Sequence, residues 1–269
     1  MVIEFIGAPG AGKTTLIPTV ANICRTRGIC ARTVVDAARP SAQRTWAGQA
    51  VARLAPQTWR RPLLWQVFYH LSAWSRFAFC ARHPRLIGSV LTTQLRRPVP
   101  AETRRHAWHW FIHLTGYYQF LLAHARDDEA LILDEGFIHR VVQMYASHQE
   151  TPDIDRVAAY VDLIPRPDLV IAVHAPWEEC LDRIYQRGLW ERFQRYSPDE
   201  VAAFVRNAHS VVNLTIDYIR GAGWTLLEVD NGSDDPVLAQ QRLRAGLETL
   251  MPALTPHPIG AGVYRNLAV

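Results

Sequence analysis

The sequence has no run of about 18 apolar residues, so no segment reads as a membrane-spanning helix. Its opening residues, MVIEF, lack the charged stretch and apolar core of a secretory signal. Both absences point to a cytoplasmic protein. Cysteine is scarce, with four residues and no CxxC pair. That excludes a disulfide framework and a cysteine-based zinc site, and fits reduced thiols. Repeats and low-complexity tracts are missing. With 49% hydrophobic and 20% charged residues, the chain is not disordered as a whole. Lysine is the scarcest feature. Of 29 basic residues only Lys13 is a lysine, and the rest are arginines. A GC-rich genome accounts for the arginines, but the position of the single lysine asks for a reason. The net charge of +4 is too small to argue for nucleic acid.

What is present reads as alternating strands and helices. Apolar runs at 2–6, 29–35, 130–133, 168–174 and 224–229 predict strands. Patterns at 13–25, 176–186, 198–220 and 236–250 predict helices, the second and third stopped by Gly188 and Gly221. This alternation predicts an α/β fold with a parallel sheet covered on both faces. Residues 56–126 break the pattern. They hold no convincing strand, ten arginines against the single acid Glu102 (a charge of +9), and five of the nine tryptophans. Two helical stripes run through them, Trp65–Phe68–Leu71–Ser75–Phe79 and one along 107–125. The segment is expected to be a helical subdomain inserted into one domain spanning 1–251. Residues 252–269, with three prolines and two glycines, are expected to form an irregular tail.

The strongest signal is Gly7-Ala8-Pro9-Gly10-Ala11-Gly12-Lys13-Thr14, which fits G-x-x-x-x-G-K-[ST], with Thr15 following. A strand precedes it and a helix follows. Glycines let successive backbone N–H groups curl inward around a phosphate, and the helix adds its positive end. Lys13 supplies a mobile charge to the β and γ phosphates, and Thr14 a hydroxyl for Mg²⁺. Asp134, at the end of an apolar strand, is a second candidate for Mg²⁺. Glu135 either orients a water for hydrolysis or contacts an acceptor. No LSGGQ-like signature accompanies them, which argues against a transporter-type ATPase. Arg183 and Arg187, four apart on a helix face, and Arg192 beyond them either close over a transferred phosphoryl group or are ordinary surface arginines.

This order of phosphate loop, acid after the second strand, long helical stretch and R-x-x-x-R-G segment resembles the P-loop nucleoside and nucleotide kinases. Thymidylate and deoxynucleoside kinases are nearest in layout. The resemblance implies a P-loop NTPase three-layer fold, a five-stranded parallel sheet in the order 2-3-1-4-5, and ATP with Mg²⁺ as cofactors. By position it makes Asp36 the carboxylate beside the acceptor hydroxyl, with Lys13, Arg183, Arg187 and Arg192 catalytic. Asp134-Glu135-Gly136 departs from the D-R or E-R pair of the family, and Arg140 stands as the substitute arginine. Asp36, Glu135 and Arg140 are then the acceptor-binding residues. The expected reaction is transfer of the γ-phosphoryl group to a nucleoside or nucleoside monophosphate. A sugar, amino alcohol or antibiotic hydroxyl is the alternative acceptor, and a nucleotide-hydrolysing switch with a macromolecular partner is the alternative class.

Partners are expected to be a small acceptor and no nucleic acid, with room for a homodimer or for membrane-surface association of the aromatic insertion. His106, His109 and His113 share a helical face, but no cysteine or carboxylate completes a metal set there.

Overall fold

The computed structural model describes residues 1–96, 101–149, 151–190, 193–232 and 236–251. Five strands, β1 (Val2–Ile6), β2 (Cys30–Thr33), β3 (Glu129–Leu133), β4 (Leu169–His174) and β5 (Leu226–Asp230), form one parallel sheet in the order β2-β3-β1-β4-β5. The registers align Cys30 with Glu129, Ile3 with Leu169 and Val170 with Leu226. All five residues of β1 and of β3 are buried, as are the first five of β4. Strands this apolar on both sides require helices over both faces, which is the three-layer P-loop NTPase arrangement. The strand order that the kinase resemblance implies is therefore the one found.

The chain divides into two compact units. One comprises Met1 and Cys24–Leu133. It contains α2 (Val34–Gln43), α3 (Trp46–Leu54), α4 (Gln57–Arg82), α5 (Pro84–Arg96) and α6 (Ala101–Ala123). Helices α4 and α6 pack along their length, and α2 packs on α4. Phe68 stacks on Tyr117 with centroids 5.4 Å apart and meets Phe120 edge-on. Close approach depends on Gly116, where an added Cβ would strike the carbonyl of Ser72 on α4. At the edge of the unit, Glu129 accepts from both amino groups of Arg44 and from the backbone N–H of Arg126. Burial alone would raise the Glu129 pKa, but the Arg44 fork and the Arg126 amide outweigh it and hold the carboxyl below its ordinary value.

The other unit comprises Val2–Ile23 and, among the described residues, 134–251. Most of α1 (Lys13–Thr26) lies here, with α7 (Arg140–Tyr145), α8 (Ile154–Val161), α9 (Trp177–Arg187), α10 (Pro198–Gly221) and α11 (Pro236–Leu250). Helix α10 is the hub of this unit, touching α7, α8 and α9. It starts at a reciprocal cap. Ser197 Oγ accepts from the Glu200 amide at 3.3 Å, and the Glu200 carboxylate accepts from the Ser197 amide at 2.8 Å. Tyr160 donates its hydroxyl to Phe137 O at 2.9 Å and is fully buried.

Three sequence expectations are corrected. The second strand ends at Thr33 rather than residue 35, because the Thr33 hydroxyl accepts from the Asp36 amide and starts α2 at Val34. Asp36 is thus in the first turn of a helix, not on a strand end. Helical structure after β2 begins at Val34, well before residue 56, and includes α2 and α3. The described residues of 56–126 form three helices, α4, α5 and α6, where the sequence pattern predicts two helical stripes. The tail at 252–269 and Arg192 lie outside the described residues. Among those described, no helix is long and apolar enough to cross a membrane.

The α4–α6 contact makes an unusual demand. Alanine normally favours a helix over glycine, yet Gly116→Ala should destabilise the protein by about 1–3 kcal/mol through the clash with Ser72 O. A thermal-melting comparison that shows a gain instead would contradict this packing.

Candidate phosphate-binding site

The loop between β1 and α1 is pressed from two sides. Gly10 and Gly12 have φ of 87° and 90°, the left-handed region that glycine reaches freely. A Cβ on Gly10 would run into the carbonyl of Cys180 on α9, and one on Gly12 into the side-chain amide of Asn231. A Cβ on Gly7 would come within 2.7 Å of Val173 O at the end of β4. The three glycines of the motif therefore serve close backbone approach as well as curvature.

Asn231 holds this arrangement together. Its side-chain N–H donates to Ala11 O at 2.7 Å, and its backbone N–H donates to His174 O at 2.7 Å. Its own carbonyl accepts from Arg183 Nη2 at 2.9 Å. One buried asparagine so ties the loop to the ends of β4 and β5 and to α9. Sequence reasoning missed it. The signal was an Asn-Gly pair directly after the last strand, at the strand ends where the loop also lies.

Lys13 donates to Gly7 O at 2.8 Å and Ala8 O at 3.2 Å. Burial pushes its pKa down to about 8, against the raising effect of Glu135, Cys180 and Asp134. Thr15 spends its hydroxyl inside the loop, on Gly12 O at 2.6 Å. Thr14 is exposed on the first turn of α1, and its hydroxyl makes no hydrogen bond among the described residues.

The end of β3 supplies the acidic residues. Asp134 Oδ1 accepts from the Glu135 amide at 3.0 Å. Glu135 is half-exposed, and Arg140 Nη1 approaches its carboxylate at 3.5 Å. The Arg140 side chain is only 6% exposed, yet its Nε and Nη1 make no hydrogen bond. Burial lowers the Arg140 pKa from its ordinary value, while Glu135, Tyr160, Asp134 and Glu4 act the other way. Buried donors of this kind are costly when left unmatched. A guanidinium with spare donors beside Glu135 and Asp134 is chemically suited to an anion.

Beneath this corner lies Glu4, a buried carboxyl on β1 that sequence reasoning also missed. It stood out only as a charge inside an apolar strand. Its Oε2 accepts from the Ile138 amide at 2.9 Å. Gly136 is needed here, because a Cβ would sit 2.5 Å from Oε2. Burial raises the Glu4 pKa to about 7, against the lowering effect of the Ile138 and Phe137 amides and of Arg140.

The two described lid candidates are anchored. Arg183 Nη2 binds Glu179 at 3.1 Å as well as Asn231 O, leaving Nη1 buried and unmatched. The guanidinium of Arg187 lies over the ring of Trp190 at 5.1 Å, and its charge also acts on Lys13. Lys13, Asp134, Glu135, Arg140, Arg183 and Arg187 all belong to the same compact unit. Asp36 belongs to the other, where the Thr33 hydroxyl donates to its Oδ2 at 2.8 Å. The histidines of α6 are engaged with rings. His106 accepts from Trp110 Nε1 at 2.8 Å, and His109 faces His113 at 4.2 Å. No group of three potential metal-ligating side chains occurs among the described residues.

No protein-family model matches the chain, and no curated protein matches it. Similar solved structures include two of deoxyadenosine kinase from M. mycoides, one with bound dCTP and one with products dCMP and a flexible dCDP bound. They share 12% and 13% identity with this chain and cover 93% and 94% of it, with all of their own length matched. The TM-scores are 0.38 and 0.39. The fold assignment rests on the strand order and the loop themselves.

The Glu4 carboxyl gives a stability test. Its folded pKa lies above the unfolded value, so the native state binds more protons between pH 4.5 and about 7. Stability is then lost as pH rises through that window. Measured as the difference between wild type and Glu4→Gln, the loss should reach about 3 kcal/mol by pH 8. Parallel stability–pH curves for the two proteins would rule it out.

Proposed function

We propose that the protein is an ATP-dependent small-molecule kinase, transferring the γ-phosphoryl group to a nucleoside or nucleoside monophosphate. The observation that carries this reading is a lysine folded into a glycine loop, with Asp134, Glu135 and an under-matched buried arginine in the same unit. The choice of acceptor is supported by the layout that the sequence shares with nucleoside and nucleotide kinases.

In this reading the Gly7–Thr15 backbone and Lys13 hold the triphosphate. Lys13 leaves the carbonyls of Gly7 and Ala8 for the β and γ oxygens. Arg140, Arg183 and Arg187 bring donors to the charge that develops on the transferred group. Asp36 receives the acceptor hydroxyl and holds or accepts its proton. Most of the acceleration comes from positioning and charge neutralisation. The oxygen donors of Thr14 and Asp134 fit a hard divalent cation, and one carboxylate, one hydroxyl and phosphate oxygens are the donor set that Mg²⁺ favours. When bound there, Mg²⁺ would offset phosphate charge.

Glu135 supports a second reading. A half-exposed carboxylate whose charge acts on Lys13 is consistent with polarising water in an ATPase or switch. ADP release separates the two. The kinase should lose ATP slowly alone and respond at least tenfold to a nucleoside or its monophosphate, while a sugar, amino alcohol or antibiotic acceptor would show itself in the same screen. Brisk hydrolysis that no small acceptor stimulates would overturn the kinase.

Lys13 provides a further check. ATP binds the ammonium form, and the free loop gives up that proton as pH rises through about 8. Nucleotide affinity should be flat below pH 7.5 and fall up to tenfold per unit above pH 8. Lys13→Ala should bind ATP weakly with no such fall and retain little turnover. Near-normal rates in that variant would refute the role of Lys13.

A further inference from the structure

The unit containing Asp36 has a concavity of its own. On α2, Asp36, Arg39, Pro40 and Gln43 fall at i, i+3, i+4 and i+7, so they share one helix face. On α4, Gln57, Arg60, Arg61 and Leu64 repeat the same spacing. The two helices pack together, and between these faces lies an open cleft of about 370 Å³. A second cleft, of about 470 Å³, shares Asp36, Arg39 and Arg61 and is walled by Pro62 and the half-exposed ring of Trp65.

The charge of this place is unbalanced. Three guanidiniums line the first cleft against one carboxylate. Neither Arg39 nor Arg61 makes an ion pair or hydrogen bond among the described residues, although carboxylates elsewhere in the unit are paired. Arg60 is steadied by donating to Ala55 O at 3.0 Å. Asp36 is steadied by Thr33 and so keeps a fixed carboxylate on the rim. Helix α4 contains no acid at all. The first cleft thus offers a hydroxyl acceptor and donors for one compact anion, and the second, which shares Asp36, Arg39 and Arg61, adds a flat apolar wall. Guanidinium forks suit phosphate and carboxylate oxygens.

From this we infer that the cleft between α2 and α4 binds a hydroxyl-bearing small molecule that already carries an anionic group, a phosphate monoester or a carboxylate, on Arg39, Arg60 and Arg61. The inference rests on the kinase reading only for the role of Asp36; anion binding stands without it. It narrows the acceptor from neutral nucleosides and sugars to their anionic derivatives.

Calorimetry on the full chain without ATP tests it. The probes are a nucleoside against its 3′- and 5′-monophosphates, a sugar against its phosphate, a cyclic hydroxycarboxylate, and inorganic phosphate alone. At least one anionic member should bind ten times tighter than its neutral parent, with affinity falling as salt rises. The phosphate and carboxylate arms show which anion is taken. Arg39→Gln with Arg61→Gln should erase the tenfold difference while leaving ATP affinity and thermal midpoint unchanged. Asp36→Asn should tighten anion binding severalfold, by removing the one opposing charge, while depressing acceptor-stimulated ADP release. Equal binding of neutral and anionic partners, or a double variant that discriminates like wild type, would overturn the inference even if ATP still binds. Loss of ATP binding by the wild type with anion discrimination intact would instead overturn the kinase reading and leave this site standing.

Discussion

The phosphate loop exists in its observed shape because two foreign atoms touch its backbone. The Cys180 carbonyl and the Asn231 amide occupy the space that side chains at Gly10 and Gly12 would need. Glycine at those positions is usually explained by its freedom to take positive φ. Here that freedom and steric exclusion coincide, so a residue that tolerated the dihedral would still be rejected by its neighbours. The loop is therefore clamped from the far side by α9 and by the residue that follows β5. The hydrogen bond from Asn231 to Ala11 O adds direction to that clamp. A loop held in this way keeps its shape without a ligand, which is what pre-organised phosphate binding needs.

The same unit tolerates buried charge, and the tolerance is local. Glu4, Arg140 and Tyr160 sit around the turn that follows β3. Arg140 partly offsets the cost of burial for both Glu4 and Tyr160, and they do the same for it, while Glu4 adds to the effect of burial on Tyr160. Gly136 leaves room for the Glu4 carboxyl, and Ile138 donates to it. The glycine of Asp134-Glu135-Gly136 thus has a physical reason. A larger side chain at 136 would collide with the Glu4 carboxyl, so glycine is the residue that fits there.

Much of the frame was legible in the sequence, for reasons that can be named. The β1, β3 and β4 runs are apolar apart from Glu4 and the end residues Glu129 and His174, and helices α9, α10 and α11 carry proline starts or glycine stops. The phosphate loop announces itself by spacing. What stayed hidden depended on contacts between distant segments. Asn231 and Ala11 are 220 residues apart, and nothing local distinguishes that asparagine from a turn residue. The only local signal at Glu4 is a lone charge inside an apolar run, and its role depends on Ile138, 134 residues away. The end of β2 was misjudged because a side-chain cap at Thr33 competes with strand propensity, and propensity alone favours extending through Val34 and Val35. The arginines of α2 and α4 were visible only as composition. The i, i+3, i+4, i+7 spacing of Asp36, Arg39, Pro40 and Gln43, and of Gln57, Arg60, Arg61 and Leu64, acquires meaning once the two helices are known to pack.

The solitary lysine follows from the same physics. Guanidinium stays charged at any accessible pH, and it spreads its donors over a wide plane. Arg140 and Arg183 each keep buried donors without a hydrogen-bond partner. An ammonium is compact, fits between the loop carbonyls of Gly7 and Ala8, and can shed its proton when desolvation is severe. At position 13 an arginine would have to fit its planar fork into a space lined by Gly7, Ala11 and backbone carbonyls. A chain that uses arginine for every other cation therefore retains lysine at the one place where size, mobility and a movable proton all matter at once.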